Sequence, residues 1–347
     1  MKIFISTYYK YNNYGTRLQN YALQTALESN LENTEVKTIY LKNKKDSIRN
    51  LIKKICASLK SSWKNDIQKE KAFNVFNQKI HFLKTTNKKL NLLDREDSIF
   101  IAGSDQIWSP THLENNPNDI DLFLLKFVQK GKKISYAPSF GVEQLPTNLI
   151  NLYKNGLEDF NHLSIREFTG EKILKQNFNL NAKIVPDPVF LLTQEEWLKI
   201  AKRPKQDSYA ILYMLGKKNT VFTQSVKEYC NKNNLKIITI AGNDINRNEI
   251  TATPEEFIGL IKNAEVVFTD SFHACSFSII FNKKFCVIKR TDVEQFSRIE
   301  TLLKKYSCEK AIHAANDKIT PFKKDNSDIM EKERKIGLQY LEGAISK

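Results

Sequence analysis

Short apolar runs alternate with segments of helical periodicity along most of this chain. The first apolar run spans residues 2–6, helical periodicity follows from about 16 to 31, and a second run spans residues 36–40. Thr16, with Gln19 three residues later, has the form of a capping box and predicts the start of the helix. Two apolar runs joined by a helix are typical of a βαβ unit with parallel strands.

The same alternation continues to the end of the chain and predicts an α/β protein built on parallel sheets. Further strands are expected at residues 98–102, 133–137, 162–166, 183–186, 208–215, 236–241, 265–269 and 285–288. Further helices are expected at residues 220–231, 272–281, 297–306 and 329–341. Pro254 suits the first turn of another helix.

The length of 347 residues is large for a single core, so two domains are expected. We expect a first Rossmann-like domain over residues 1–187, with a lysine-rich helical insertion at about 42–89. A second Rossmann-like domain is expected over residues 188–325. By analogy with other enzymes of two Rossmann-like domains, the remaining C-terminal helix, 326–347, packs back on the first domain.

The composition is that of a folded protein with a large positive charge. Hydrophobic residues make up 41% of the chain, which argues against wholesale disorder. The net charge of +15 fits a general richness in lysine, or attraction to phosphorylated metabolites, nucleic acid or a negatively charged membrane face. The lysines are dispersed and no helix-turn-helix, zinc or RNP-type motif occurs, so we do not expect nucleic acid as a partner.

The five cysteines are scattered and never form a CxxC pair, which argues against a disulfide framework and a zinc site. No run of about 18 apolar residues occurs, and the N-terminal apolar run is too short for a signal peptide. We therefore expect a cytoplasmic protein. His81, His112, His162 and His313 have no acid or cysteine at ligand spacing, so neither a metal nor another cofactor is expected.

Two loops at predicted strand ends carry groups suited to an anionic ligand, because open α/β sheets bind ligands at the carboxyl ends of their strands. His273 begins the helix after the strand at 265–269, where it could contact a phosphate or carboxylate or transfer a proton. It could equally cap its own strand–helix turn. Arg166 offers a planar fork for a carboxylate or phosphate, or a structural ion pair with Glu167.

Two further loops could hold a sugar. Gly103 permits a sharp turn before Ser104, Asp105 and Gln106, whose side chains could bind hydroxyls, with Asp105 as a base. An Asx-turn would use the same residues without chemistry. The loop Asn13-Tyr14-Gly15 precedes the first helix and is a natural site for an anion or a hydroxyl.

Dinucleotide, P-loop, zincin and α/β-hydrolase motifs are all absent from the sequence. The loops, taken together and in order, resemble instead those of the polysaccharide pyruvyl transferase family. The segments that carry the resemblance are Asn13-Tyr14-Gly15 with residues 18–23, then residues 103–108, 135–141, 164–167, 187–190 and 269–273.

The resemblance implies two Rossmann-like domains that face each other across a cleft, as in GT-B glycosyltransferases. It implies transfer of the enolpyruvyl group of phosphoenolpyruvate to a sugar or lipid-linked glycan, which forms a pyruvate ketal and releases phosphate. His273 matches the active-site histidine of the family and Arg166 an arginine that contacts the donor. Three negative charges in one cleft require cationic partners.

The chain departs from the family pattern at Ser271, where many members carry an arginine. Arg290 or Arg298 could supply the missing charge. The candidate catalytic residues are therefore His273 and Asp105. The candidate donor-binding residues are Arg166, Ser271, Phe272, Arg290 and Arg298, and the candidate acceptor-binding residues are Asn13, Tyr14, Gly15, Ser104 and Gln106.

Two rival functions fit the same architecture. One is a glycosyltransferase that uses a nucleotide sugar, and the other is a catalytically silent relative that binds a glycan or a partner enzyme. A purine-stacking aromatic and a ribose-binding acid at the strand ends of the second domain would favour the first rival, and the departure at Ser271 leaves the second rival open.

Residues 48–64 combine apolar positions at helical spacing with arginine and lysine between them, and they include Trp63 near the end. This pattern is typical of a peripheral contact with a membrane surface, which would bring the protein to the inner membrane face. An ordinary helix packed on the first domain, with lysines on its solvated face, has the same pattern.

Overall fold

The computed structural model describes residues 1–10, 12–42, 61–216, 219–242, 249–289, 296–314 and 317–346. Its strands are β1 Lys2–Ser6, β2 Glu35–Leu41, β3 Phe82–Thr85, β4 Ser98–Ala102, β5 Lys132–Ser135, β6 Ser164–Ile165, β7 Lys183–Ile184, β8 Tyr209–Tyr213, β9 Lys236–Ile240, β10 Val266–Thr269, β11 Lys284–Ile288 and β12 Ile312–His313. Its α-helices are α1 Tyr14–Asn30, α2 Ser61–Phe76, α3 Pro110–Asn115, α4 Ile120–Phe123, α5 Ile150–Leu157, α6 Phe168–Phe178, α7 Gln194–Leu198, α8 Thr220–Lys232, α9 Pro254–Asn263, α10 Phe272–Ile280, α11 Ser297–Lys305 and α12 Ser327–Ser346.

Two five-stranded sheets form the framework, with strand orders β3-β2-β1-β4-β5 and β12-β11-β10-β8-β9. Neighbouring strands in both sheets are parallel. The prediction of an α/β protein with parallel sheets is confirmed. The strand order reverses between β1 and β4 in one sheet and between β8 and β10 in the other, and such points are where α/β sheets bind ligands.

The first helix begins two residues earlier than the sequence pattern predicted. The Oδ1 atom of Asn13 accepts a hydrogen bond from the backbone N of Thr16 at 3.2 Å, so Asn13 is the N-cap. The prediction of a capping box at Thr16 and Gln19 is wrong, because both side chains have other partners. The Thr16 hydroxyl donates to Asp105 at 2.9 Å, and the Gln19 amide donates to the hydroxyl of Thr7 at 2.9 Å.

Strands β6 and β7 are two residues long, shorter than the predicted strands, and pair only with each other in a small separate sheet. Two serines explain why β6 does not extend the first sheet. The backbone N of Ser164 donates to the hydroxyl of Ser135 at 2.8 Å, and the Ser164 hydroxyl donates to the backbone oxygen of Ser135 at 2.7 Å. These side-chain bonds take the place of backbone bonds at Ser164, just beyond the backbone bonds that β5 makes with residues 161 and 162.

One apolar core continues from the first sheet into the second. Tyr14 at the start of α1 is fully buried and stacks on Phe257 of α9 with 4.5 Å between ring centroids. The C-terminal helix α12 lies against the first sheet, since the Tyr340 hydroxyl donates to the backbone oxygen of Ser135 at 2.9 Å. Residues far apart in the chain therefore share one interior.

Two elements of the sequence interpretation lie outside the described residues. Of the basic segment at 48–64, residues 48–60 are not described, and Arg290 is not described either. Among the helices that the structure describes, none combines the length and the apolar character needed to cross a bilayer.

Candidate functional site

A buried arginine lies at the centre of the candidate site. Arg166 follows β6, and its side chain is 1% exposed. Its Nη1 atom donates to Oδ2 of Asp187 at 2.7 Å, and its Nη2 atom donates to Oδ1 of Asp105 at 3.3 Å. The guanidinium also lies over the ring of Phe272, 4.6 Å from the centroid. Charge-assisted bonds to two carboxylates hold the guanidinium in one orientation.

His273 lies in the first turn of α10, beside this cluster. Its Nε2 atom is 3.6 Å from Oδ2 of Asp187 and is buried without a hydrogen-bond partner. Gly15 at the start of α1 packs against the imidazole so closely that a Cβ atom there would overlap the ring. The absence of a side chain at Gly15 therefore lets the two halves of the molecule meet at His273.

Asp105 is fixed by the loop that follows β4. Its Oδ2 atom accepts the hydrogen bond from Thr16, and its Oδ1 atom accepts one from the backbone N of Gln106 at 2.9 Å. Gly103 permits the loop, since its φ is +142° and a Cβ atom there would overlap the backbone oxygen of Tyr136. The loop therefore presents the Asp105 carboxylate to Arg166 from the first sheet.

The surrounding charges set the ionisation of the three acids. Burial would raise the pKa of Asp187, but the charges of His273 and Arg166 lower it from 3.8 to about 2. Burial would also raise the pKa of Asp105, but the charge of Arg166 holds this pKa below its ordinary value. At Glu167 burial prevails and raises the pKa. Asp105 and Asp187 are therefore anionic at neutral pH.

A second arginine and a lysine approach from helix α11. Arg298 is partly exposed, and its Nε atom has no hydrogen-bond partner among the described residues. Burial together with the charge of Arg166 lowers its pKa to about 10. Thr301 and Lys305 follow at intervals of three and four residues, on the same side of the helix. Both line a small, partly open cavity of about 20 Å³, which Arg166 also lines.

Not every predicted site residue has a side chain available to a ligand. Tyr14 is fully buried, and its hydroxyl bonds both the N and the O atom of Ala252. Asn13 caps α1. Ser271 caps α10, with its hydroxyl oxygen 3.4 Å from the backbone N of Ala274. Ser104 is buried and donates to the backbone oxygen of Ala137 at 2.7 Å.

Sequence reasoning missed three residues of this cluster as site residues. Asp187 ends the segment after β7, and only the folded chain brings its carboxylate to Arg166 and His273. Thr301 and Lys305 could have been found from their helical spacing to Arg298. Among the described residues, no group of three His, Cys, Asp or Glu side chains is arranged to hold a metal ion.

One known protein family matches most of the chain at the level of sequence. The sequence profile of the polysaccharide pyruvyl transferase family matches residues 13–292. No curated protein sequence matches.

Several solved structures are similar to this one. An uncharacterized protein of Klebsiella pneumoniae is 15% identical, with a TM-score of 0.40 over 72% of this chain and 85% of that one. The UDP-GlcNAc 2-epimerase of Neisseria meningitidis is 11% identical, with a TM-score of 0.48 over 100% of this chain and 93% of that one. The ADP-heptose heptosyltransferase II of E. coli is 8% identical, with a TM-score of 0.39 over 99% and 98%. These likenesses concern the fold alone.

Proposed function

Because the chain belongs to the polysaccharide pyruvyl transferase family, we propose that it transfers the enolpyruvyl group of phosphoenolpyruvate to two hydroxyls of a sugar. The product is a pyruvate ketal on a cell-surface polysaccharide or its lipid-linked precursor. The observation that carries the proposal is the contact of Arg166 and His273 with Asp187, beside a cavity that Arg166 and Lys305 line.

The donor binds at the mouth of the cavity between Arg166 and α11. Arg166 and Arg298 supply positive charge to its carboxylate and phosphate, and Phe272 gives the guanidinium of Arg166 an aromatic face. Ser271 is the N-cap of α10. The N-terminus of a helix carries the positive end of the helix dipole, which attracts bound anions. Residue 271 is a serine in this chain, where many family members carry an arginine. Arg298 supplies the positive charge that such an arginine would bring.

His273 and Asp105 move the protons. His273 donates a proton from Nε2 to the methylene carbon of the donor, and the first sugar hydroxyl attacks the neighbouring oxocarbenium-like carbon. Asp105, ionised at neutral pH, takes the proton of that hydroxyl. The phosphate then leaves with the proton held by Asp105, and the second hydroxyl attacks and returns a proton to His273. One donor and one diol thus give one ketal and one phosphate.

The acceptor lies against the loop after β4. The Nε2 atom of Gln106 is buried and has no hydrogen-bond partner, which suits it to a sugar hydroxyl. Ser104 and Asn13 hold their loops through bonds to the chain itself, and Gly15 provides the close approach to His273. Tyr14 fixes the helix that carries Gly15 rather than contacting the acceptor.

Calorimetric titration of phosphoenolpyruvate tests this proposal, with UDP-sugars titrated in parallel. The proteins are the wild type, Arg166→Lys and His273→Asn, because Arg166→Ala would leave two buried carboxylates without a partner. Arg334→Lys is the matched control, since Arg334 pairs with Glu331 on α12 and does not line the cavity.

We expect saturable binding to the wild type that weakens at least tenfold, about 1.4 kcal/mol, in Arg166→Lys and stays within twofold in the control. His273→Asn should retain binding but lose ketal formation with an acceptor. Binding of a UDP-sugar without binding of phosphoenolpyruvate would replace this function with glycosyl transfer. A wild type that binds neither ligand would refute the proposed donor.

A further inference from the structure

We propose that Lys305 binds the phosphate group of the donor, and that Glu333 on the C-terminal helix holds the ammonium group at the cavity until the donor arrives. This inference rests on the proposed function. It assigns a part of the donor site to α11 and α12, which lie far in sequence from the loops at the strand ends.

The geometry places Lys305 on the wall of the donor cavity. Lys305 and Thr301 line this cavity together with Arg166, Asp187 and Phe272. The free space there is about 20 Å³, so only the edge of a ligand fits unless the lining side chains move. A lysine on this wall can present a point charge to a phosphate without displacing the carboxylates that hold Arg166.

The charge balance of the cluster requires a further cation. Arg166 and Arg298 carry two positive charges, and Asp105 and Asp187 carry two negative charges close to them. A phosphoenolpyruvate molecule adds a carboxylate and a phosphate of about −1.5 to −2 at neutral pH. Buried charge without a partner is costly, so protonation of His273 alone would leave the donor under-neutralised. The pair of Lys305 with Glu333 is neutral, so Lys305 brings positive charge to the phosphate only once it turns away from Glu333.

Glu333 explains how Lys305 stays in position before the donor binds. The Nζ atom of Lys305 lies 2.7 Å from Oε2 of Glu333, and the two side chains are 16% and 12% exposed. This pair joins α11 to α12 at the edge of the cavity. When Lys305 turns to a phosphate, the Glu333 carboxylate needs new hydrogen-bond donors.

Two buried tyrosine hydroxyls can donate hydrogen bonds to the Glu333 carboxylate after Lys305 has turned away. Tyr306 lines the cavity beside Lys305, and within the described part of the chain its hydroxyl has no hydrogen-bond partner. The hydroxyl of Tyr136 also lacks a partner, and it lies against Gly337, one helical turn after Glu333. Burial, together with the negative charge of Glu333, raises the pKa of both tyrosines, so both remain protonated donors. Glu333 thus accepts from Lys305 when no donor is bound, and from the tyrosine hydroxyls when Lys305 binds the phosphate.

Binding of phosphoenolpyruvate and of inorganic phosphate, measured by calorimetry, tests the assignment. The variants are Lys305→Met, Glu333→Gln and the double variant with both changes, which leaves no buried charge alone if Lys305→Met fails to fold. Lys304→Met is the matched control, because Lys304 is the exposed neighbour on the same helix and does not line the cavity.

We expect Lys305→Met and the double variant to bind both ligands at least tenfold more weakly, and Lys304→Met to bind within twofold of the wild type. Glu333→Gln should bind as tightly as the wild type or a few-fold more tightly, since its loss frees Lys305. Unchanged binding in Lys305→Met, with only a loss of stability, would overturn the inference and make the pair a brace between helices.

The same titrations distinguish a failure of the proposed function from a failure of the assignment of Lys305. If the wild type binds inorganic phosphate but not phosphoenolpyruvate, the donor is wrong, and loss of phosphate binding in Lys305→Met would still identify Lys305 as the anion ligand. If the wild type binds phosphoenolpyruvate equally well with and without Lys305, the donor stands and this inference falls.

Discussion

Replacing Asp187 with asparagine should lower stability in a pH-dependent way. The change keeps the size of the side chain but removes the charge that contacts Arg166 and His273. The pKa of Asp187 is about 2 in the folded protein against an ordinary 3.8. By linkage this difference corresponds to about 2 kcal/mol of stability at neutral pH. We therefore expect Asp187→Asn to unfold with a free energy about 2 kcal/mol smaller than the wild type.

The sign of the pH dependence follows from the lowered pKa. The carboxylate stabilises the folded state fully above its unfolded pKa, and the benefit disappears as the pH falls through the folded pKa. The difference between wild type and variant should thus be constant from pH 7 to about 4.5 and about half as large near pH 3.

Urea denaturation at several pH values measures this difference directly. Asp159→Asn is the matched control, because Asp159 is 70% exposed and pairs with Lys133 at 3.6 Å. Its effect should stay within about 0.5 kcal/mol at every pH. A difference below about 0.5 kcal/mol for Asp187→Asn, or one that does not change between pH 7 and 3, would show that the buried cluster does not stabilise this carboxylate.

Two further predictions concern the start of α1. Gly15→Ala should cost about 1–3 kcal/mol in urea denaturation, because the new Cβ overlaps the ring of His273. Gly343→Ala, which has nothing within 4 Å, should not destabilise, and equal effects would contradict the contact. Tyr14→Phe should cost about 1–3 kcal/mol, since it leaves the N and O atoms of Ala252 unbonded. An unchanged unfolding midpoint would rule out that role.

The pattern of apolar residues in the sequence predicted the central strands of the sheets well and the edge strands poorly. The apolar run of β4 was predicted to the residue, because a strand buried on both faces reads as a continuous apolar segment. The edge strands β3 and β12 were missed, since they are short and only partly apolar. Such strands form because a neighbouring strand offers hydrogen bonds, and that information is not local.

The candidate site shows the same division. Arg166 and His273 lie at strand ends, where the alternation of strands and helices predicted them. The carboxylate between them belongs to Asp187, and no periodicity connects it to either residue. Helical spacing relates Lys305 to Arg298, but only the position of α11 in the fold decides that this side of the helix meets the cavity.

The aromatic packing around Tyr14 has a consequence for how the sequence can vary. Its ring contacts Phe73, Tyr213 and Phe257 at centroid distances of 5.1, 5.7 and 4.5 Å, and the four rings come from four different elements. Close packing leaves little room for one ring to change volume alone. Substitutions at these positions should therefore accompany one another among relatives, so that the two halves of the molecule evolve as a matched pair.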